Sequence, residues 1–352
     1  MPESPLPHAT IDPTSIFEHF RGNHGTELLT AAAAHFRLFD KLAAGPLAWH
    51  ELRSQLALAE RPLVVLITAL RAMRLIERAS DKYRLTPLAR EHLVSTSPLS
   101  VADYIGLAAE SPGVLAMVER LRTDLPAGAK SDTDEGAGTA FIYREGTDSA
   151  MEQEASARHL TLALAGRAKN VAPVLADVLP LAGDETLLDL GGGTGIYSIA
   201  LLRKYPQLRA IVLDRPEVLK VSHEFAEQYG VADRLELLAG DMFSAALPAG
   251  VDRVLLSNIL HDWDVPECIE LLKRSAAALS VRGEVLIHDV FLSDELDGPL
   301  PIALYSAALF TLTEGRAYSA AEYRAMLGAA GLTAGQVIPT LIHCGVLVAR
   351  RA

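Results

Sequence analysis

From about residue 185 onward the hydrophobic positions fall into short unbroken runs that alternate with stretches of helical period. The runs are "TLLDLGG", "LRAIVLDR", "LELLAGDMF", "VDRVLLSNIL" and "GEVLIHDVFL". Between them lie "GIYSIALLRKYP", "PEVLKVSHEFAEQYG" and "VPECIELLKRSAAALS". Strands that are apolar throughout and separated by helices predict a parallel sheet covered on both faces. In such a sheet ligands bind beyond the carboxyl ends of the strands, so the residues that end each run are the candidates for chemistry.

The first hundred residues follow another pattern. After a Pro-rich start, residues 15–100 read as short amphipathic helices, among them "GTELLTAAAAHFRLFDKLA" and "PLVVLITALRAMRLIE". Two short strands follow in "RASDKYRLTP", and helix, helix, hairpin is the order of a winged helix. Acidic residues are interspersed among Arg71, Arg74, Arg78, Lys82 and Arg84, which favours packing or dimerisation over DNA contact. Residues 101–123 read as helical, and 124–140, rich in Gly, Asp, Ser and Ala, as a loop. A long helical pattern resumes in "DSAMEQEASARHLTLALAGRAKNVAPVLADVL". The expected fold class is α/β: a Rossmann-like, mostly parallel sheet with a mainly helical, winged-helix-like N-terminal domain. The expected divisions are 1–100 for that domain, 101–170 for linking helices that contribute to a substrate pocket, and 171–352 for the sheet.

Composition narrows the partners. The chain has 352 residues, long enough for two domains that each bury a core. Its net charge of −12 argues against a nucleic-acid partner, because phosphate binding needs clustered Lys and Arg. Only Cys268 and Cys344 are present, without CxxC spacing or histidines at metal-ligand intervals. Neither a disulfide framework nor a metal site is expected, and a reducing cytoplasm fits. The start "MPESPLPHATIDP" lacks a basic n-region and an apolar h-region, and no apolar run reaches membrane length. The protein is expected to be neither exported nor embedded in a membrane.

The glycines of "LLDLGGGTGIYS" sit between a strand and a helix, with Gly191, Gly193 and Gly195 short of the full GxGxxG dinucleotide fingerprint. Asp189, just before them, would repel a phosphate and suits a ligand bearing an amino group. The next strand ends in Asp214, placed to accept both hydroxyls of a ribose. The third ends in "GDMF", where Asp241 can bond an adenine amino group while Met242 and Phe243 form an apolar wall. Together these describe a nucleoside site with no grip on phosphate. The fourth run ends in "ILHDWDVPE", which delivers His261, Asp262 and Trp263 to the same edge. Asp264 is read as the cap of the following helix, with Asp262 divided between cap and site. His288 precedes Asp289, and strand alternation turns it to the opposite face as a structural residue.

With these residues in place, the chain resembles the class I S-adenosylmethionine-dependent methyltransferases. It is most similar to the small-molecule O-methyltransferases of the plant caffeate and bacterial hydroxyneurosporene types. The resemblance runs over nearly the whole chain, through "LDLGGGTG", "VLDRPEVL", "GDMF", "ILHDWDVPECIELLK" and "AAEYRAMLGAAGL". It implies S-adenosylmethionine as cofactor, methyl transfer to a hydroxyl of a small phenolic acceptor, and a homodimer without metal, nucleic acid or membrane. It places the general base on His261 and its acidic partner on Asp289. The family's cofactor roles fall on Gly191, Gly193, Asp214, Asp241, Met242, Phe243 and Ser257, with Trp263 near the adenine and Asp189 beneath the glycines. Ser257 stands where plant enzymes carry a basic residue. A second family glutamate falls near Ala317 and is missing, with Glu314 an imperfect substitute. His159, Leu162, Phe310 and Leu312 lie near substrate-pocket positions of the family, and each has an ordinary reading as helix surface or core.

A phenol near pKa 10 and an imidazole near 6.5 differ by about 3.5 units, roughly 5 kcal/mol of uphill proton transfer. Proton removal is therefore expected to be concerted with methyl transfer, with Asp289 orienting and stabilising the imidazolium. The alternatives are a C- or N-methylating or non-methylating relative of the same fold, and a winged-helix regulator that senses the cofactor.

Overall fold

The alternating runs of the second half fold as one sheet, and the computed structural model describes residues 4–22, 24–127 and 154–351. The chain opens with α1 (Thr14–Arg21), α2 (His24–Thr30, continuing into a π-helical turn at Ala31–His35) and α3 (Leu38–Ala43). The strand β1 (Leu47–Ala48) leads into α4 (Trp49–Leu56) and α5 (Glu60–Ala72). A hairpin of β2 (Ile76–Ala79) and β3 (Lys82–Leu85) precedes α6 (Pro87–His92), α7 (Ala102–Gly106) and α8 (Pro112–Thr123). Most of the loop expected at 124–140 lies outside the described residues.

The chain then enters α9 (Glu154–Val178), β4 (Thr186–Leu190), α10 (Ile196–Lys204), β5 (Arg209–Asp214), α11 (Pro216–Gln228) and β6 (Leu235–Ala239). Next come β7 (Val251–Ser257), α12 (Val265–Ala278), β8 (Leu279–Leu292) and α13 (Leu300–Leu312). It ends with β9 (Tyr318–Ser319), α14 (Ala320–Ala329), β10 (Leu332–Pro339) and β11 (Cys344–Arg351).

The chain divides into two compact units, each drawn from separated segments. Among the described residues, the helical unit takes 18–127 and 292–317, and the sheet unit takes 4–17, 154–291 and 318–351. The helical unit buries Leu63, Leu66 and Leu70 of α5 with Leu38, Leu42, Met117 and Leu121. Its three-stranded antiparallel sheet runs β1-β3-β2. Helix α13 joins this core through Leu304, Ala307 and Phe310. Its sequence, "LPIALYSAALFTL", is apolar on every side, and such a helix is stable only when covered all round.

In the sheet unit the strand order is β10-β11-β8-β7-β4-β5-β6, with β9 pairing on β8. The run from β6 to β8 is parallel, and β11 and β10 close the edge antiparallel. From β4 the chain builds outward to β5 and β6, then returns to place β7 on the other side of β4. That reversal opens a crevice at the carboxyl ends of β4 and β7, where ligands of open α/β sheets bind. Among the described residues no helix is long and apolar enough to cross a membrane.

Candidate active site

The turn between β4 and α10 is built on glycines with positive φ. At Gly191, φ is 66°, and a Cβ there would lie 2.5 Å from Ile259 Cδ1 and 3.2 Å from Met242 Cε. Backbone conformation and close approach both require glycine at this point. At Gly193, φ is 59° and a Cβ would meet nothing within 4 Å, so the loop faces open space. Its N–H donates to Asp214 Oδ2 at 2.9 Å, and Arg215 N–H donates to Asp214 Oδ1 at 2.7 Å. Enclosure by the loop pushes the Asp214 carboxyl up to about 6 against these two donors; the part of its surface left in solvent tempers that rise.

Asp189 lies fully buried beneath the same loop. Its Oδ2 accepts the Ser198 hydroxyl at 2.7 Å, and its Oδ1 has no hydrogen-bond partner. Burial pushes this carboxyl up to about 7, with the Asp214 charge adding to the effect and the Ser198 bond opposing it. A buried carboxylate oxygen without a protein donor, under a cradle that a Cβ would fill, fits a ligand that brings a positive charge and no phosphate.

Beyond β6, Asp241 Oδ1 accepts the Phe243 N–H at 2.7 Å, which turns the chain so that Met242 and Phe243 face inward. The Phe243 and Trp263 rings meet edge to face at 4.8 Å, with an interplanar angle of 80°. Partly buried Met242 packs on the same cluster, and Arg274 of α12 holds its carbonyl at 2.9 Å.

At the end of β7 the chain turns through Asn258, at φ 58°, into a 3₁₀ turn of Leu260–Asp262. Asp264 caps α12, its Oδ1 accepting the Val265 N–H at 2.8 Å. Parallel pairing sets Ser257 opposite His288, which brings the residue after His288 within reach of the turn. His261 Nδ1 lies 2.6 Å from Asp289 Oδ1. That oxygen also accepts the Val290 N–H at 2.8 Å, while Oδ2 accepts the Tyr323 hydroxyl at 3.0 Å. His261 Nε2 faces Asp262 Oδ1 at 3.7 Å, too long for a hydrogen bond.

Electrostatics follow from this geometry. Burial opposes the charge on Asp289, but the charge and hydrogen bond of His261, with the Val290 and Tyr323 donors, hold its carboxyl below the usual range. Burial likewise opposes protonation of His261; the Asp289 and Asp262 carboxylates and the Asp289 hydrogen bond outweigh it and raise the imidazole above 6.5, with Arg167 acting in the other direction. Asp262 is pushed up to about 7 by burial, with His261 opposing and Asp289 adding. An ionised Asp289 fixes the proton of the neutral ring on Nδ1, leaving Nε2 as the atom that accepts one.

A sequence model of the O-methyltransferase domain family matches residues 138–333. The chain belongs to this O-methyltransferase family. It is 34% identical over 330 residues to the 3-hydroxy-5-methyl-1-naphthoate 3-O-methyltransferase of Streptomyces sahachiroi, covering 93% of this chain and 92% of that one. It is 29% identical over 305 residues to an L-tyrosine C(3)-methyltransferase of Streptomyces lavendulae, covering 85% and 81%. A crystal structure of an O-methyltransferase family 2 protein from Planctomyces limnophilus, in complex with apigenin, matches with a TM-score of 0.88 at 48% identity over 99% of both chains. The protein is an S-adenosylmethionine-dependent O-methyltransferase.

In the methyltransferase, Asp189, Gly191, Gly193, Asp214, Met242, Phe243, Trp263, His261 and Asp289 all lie in the sheet unit near the carboxyl ends of its strands. Asp241, just beyond β6 at the same edge, is exposed. The Ser257 hydroxyl is engaged at 2.8 Å with His288 Nδ1 and accepts from Asn258 Nδ2 at 3.1 Å. His288 turns to the opposite face from Asp289, reaching Thr340 Oγ1 at 3.2 Å and packing on the Tyr197 ring. Burial, with help from Arg167, drives its pKa down to about 3, so it stays neutral. His159 and Leu162 are exposed on α9. In the helical unit Phe310 is buried in the core, whereas Leu312 is half exposed. Ala317 is buried, and its N–H donates to Ser306 Oγ at 3.1 Å.

Two residues of this region, Tyr323 and Arg167, carry no local signal for their place in it. Tyr323 reaches Asp289 from α14, and Arg167 on α9 donates to Asn258 Oδ1 at 2.8 Å and to Cys344 Sγ at 2.6 Å. Asn258 could have been suspected, because asparagine tolerates the left-handed conformation that an abrupt strand exit needs.

Proposed function

We propose that this methyltransferase methylates a hydroxyl of a small aromatic acceptor, with His261 as the general base and Asp289 as the carboxylate that orients it. The observation that carries the reading is the 2.6 Å contact between His261 Nδ1 and Asp289 Oδ1, which commits one ring nitrogen and presents the other. The relatives support an aromatic acceptor: one is named for a hydroxynaphthoate, and one solved structure holds apigenin.

Bound S-adenosylmethionine supplies an activated methyl group on a sulfonium. Asp214 would hold its ribose, Asp241 its adenine edge and Asp189 would balance its positive end, with Gly191 and Gly193 giving close backbone approach. Met242, Phe243 and Trp263 would flank the base, and Ser257 completes the strand edge. His261 Nε2 takes the acceptor's proton as the oxygen attacks. An unperturbed imidazole faces about 5 kcal/mol of uphill transfer from a phenol, and the raised basicity of His261 reduces that gap. Asp289 then carries the positive ring as its counter-charge.

The helix, helix, hairpin order of the helical unit supports a winged-helix-like domain used for homodimerisation, and the acidic chain supports the absence of a nucleic-acid role. Two buried cysteines that form no disulfide are compatible with a cytoplasmic enzyme, and a relative from Streptomyces glaucescens named for tetracenomycin polyketide synthesis favours secondary metabolism.

The test is a panel of phenols and catechols incubated with methyl-labelled S-adenosylmethionine, with products read by mass spectrometry and the labelled position by NMR. We expect an O-methyl product, and a loss of about 10²- to 10⁴-fold in kcat for His261→Ala with cofactor binding retained. A ring-carbon methyl would favour the activity named for the tyrosine C-methyltransferase relative instead. No product from a protein that still binds cofactor, or full activity in His261→Ala, would sink the reading.

A further inference from the structure

Asp289 holds more donors than a base-orienting carboxylate needs. Its side chain is 1% exposed, and its two oxygens receive His261 Nδ1, the Val290 N–H and the Tyr323 hydroxyl. The first two arrive from the neighbouring turn and from its own strand. The third comes from a helix 34 residues downstream.

We infer that Tyr323 is a positioning residue for the base, acting through Asp289; the inference rests on His261 being that base. Three features of the fold fix its hydroxyl. The start of α14 is locked by a capping box one residue away, with Glu322 N–H donating to Ser319 Oγ at 3.2 Å and Ser319 N–H to Glu322 Oε2 at 2.8 Å. The fully buried ring meets Phe291 edge to face at 5.6 Å and lies 5.4 Å from Tyr318, so it cannot swing away. The hydroxyl therefore stands 3.0 Å from Oδ2, on the opposite oxygen from the one that serves His261.

Packing alone does not account for this hydroxyl. A phenylalanine would fill the same apolar space without burying a polar group, and a buried hydroxyl is tolerated only when bonded. Donating to Oδ2 does two things for the base. It fixes the plane of the carboxylate, so that Oδ1 faces Nδ1. It also draws off part of the negative charge, which lowers the pull of Asp289 on the imidazolium and keeps more of His261 neutral at working pH. The phenol stays a donor over the whole range, because burial and the Asp289 charge hold its own ionisation far above 10.

Other groups bear on this centre. His261 feels Asp262 from its own turn and Arg167 from α9, while Tyr323 feels Cys268 of α12 and Tyr318. His288, behind Asp289 on the other face, remains neutral. None of these changes when the Tyr323 hydroxyl is removed, so the Asp289 bond is the variable.

The experiment measures kcat, KM and kcat/KM against pH for the full chain, Tyr323→Phe and Tyr318→Phe, with His261→Ala as reference. In Tyr323→Phe the acid limb should move up by about 0.5 to 1 unit, part of the strength of a hydrogen bond to a charged group. The lost rate at neutral pH should return in alkali, with KM for both substrates within about twofold. Tyr318→Phe removes a buried hydroxyl that donates to the Trp263 carbonyl at 2.7 Å and should leave the limb where it is. Should Tyr323→Phe not fold, 3-fluorotyrosine at position 323, a stronger donor, should move the limb down. A limb that stays fixed in the 323 variants, or a rate loss that is the same at every pH, overturns the inference. Full activity in His261→Ala would instead overturn the base assignment on which it rests.

Discussion

Replacing Asp289 by asparagine isolates the charge at the base from its geometry. If the amide oxygen takes the place of Oδ1, it still accepts from His261 Nδ1 and Val290 N–H, and the NH₂ can donate to the Tyr323 oxygen. The bonds from His261 and Val290 keep their acceptor and the Tyr323 bond reverses direction, so the change felt by the imidazole is the loss of the negative charge. A hydrogen bond to a charged partner is worth about 1.5 to 3 kcal/mol, or about 1 to 2 pKa units on His261. Burial, the largest influence on this imidazole, then acts with only Asp262 against it. The raised pKa falls, so the acid limb of kcat/KM should move down by about 1 to 2 units. Proton transfer from a phenol becomes harder by the same energy. On the plateau kcat should therefore fall by about 10- to 100-fold, with KM little changed. The assay is the pH profile of labelled-methyl transfer to an acceptor found by the phenol panel, with cofactor affinity measured separately. Wild-type kcat and an unmoved acid limb in Asp289→Asn would refute the reasoning, because the carboxylate would then not be acting on the base.

Two further substitutions address buried charge. Asp189 rises from an ordinary 3.8 to about 7 inside the fold, a penalty of about 4 kcal/mol that is complete above pH 7, shrinks as pH falls and is gone below 3.8, where the unfolded chain is protonated too. Asp189→Asn should thus stabilise the ligand-free protein by about 1 to 3 kcal/mol in urea melts at pH 8 while weakening S-adenosylmethionine binding by at least about tenfold in calorimetry; unchanged stability and affinity would discard the role. His288 falls to about 3, so the fold excludes a proton that the unfolded chain takes up below 6.5, and stability is lost as pH drops from 6.5 towards 3. In His288→Asn the destabilisation seen at pH 7 should shrink by about 2 to 3 kcal/mol at pH 4.5, and a difference that does not vary with pH would contradict a buried neutral imidazole.

The sheet was legible because its signals are local. Apolar runs and helical spacings depend on neighbours a few residues apart, and they forecast the strands from β4 to β8 and the helices between them. Alternation along β8 likewise separates His288 from Asp289 without further information, and the single side chain of Asp264 marks the start of α12. The nucleoside-like spacing of Asp189, Asp214 and Asp241 follows from the same strand ends.

Contacts that close over long stretches of chain were decided elsewhere. The place of α13 in the core with α5 depends on packing between segments more than 200 residues apart. The unpartnered oxygen of Asp189, the engagement of the Ser257 hydroxyl by His288, and the approach of Tyr323 to Asp289 arise from how strands and helices are stacked. The sequence determined which residues stand at the strand ends, since a period-two backbone settles which way each side chain points. Only the tertiary structure decided which of them share a proton, because burial and a 2.6 Å approach are properties of the packed whole.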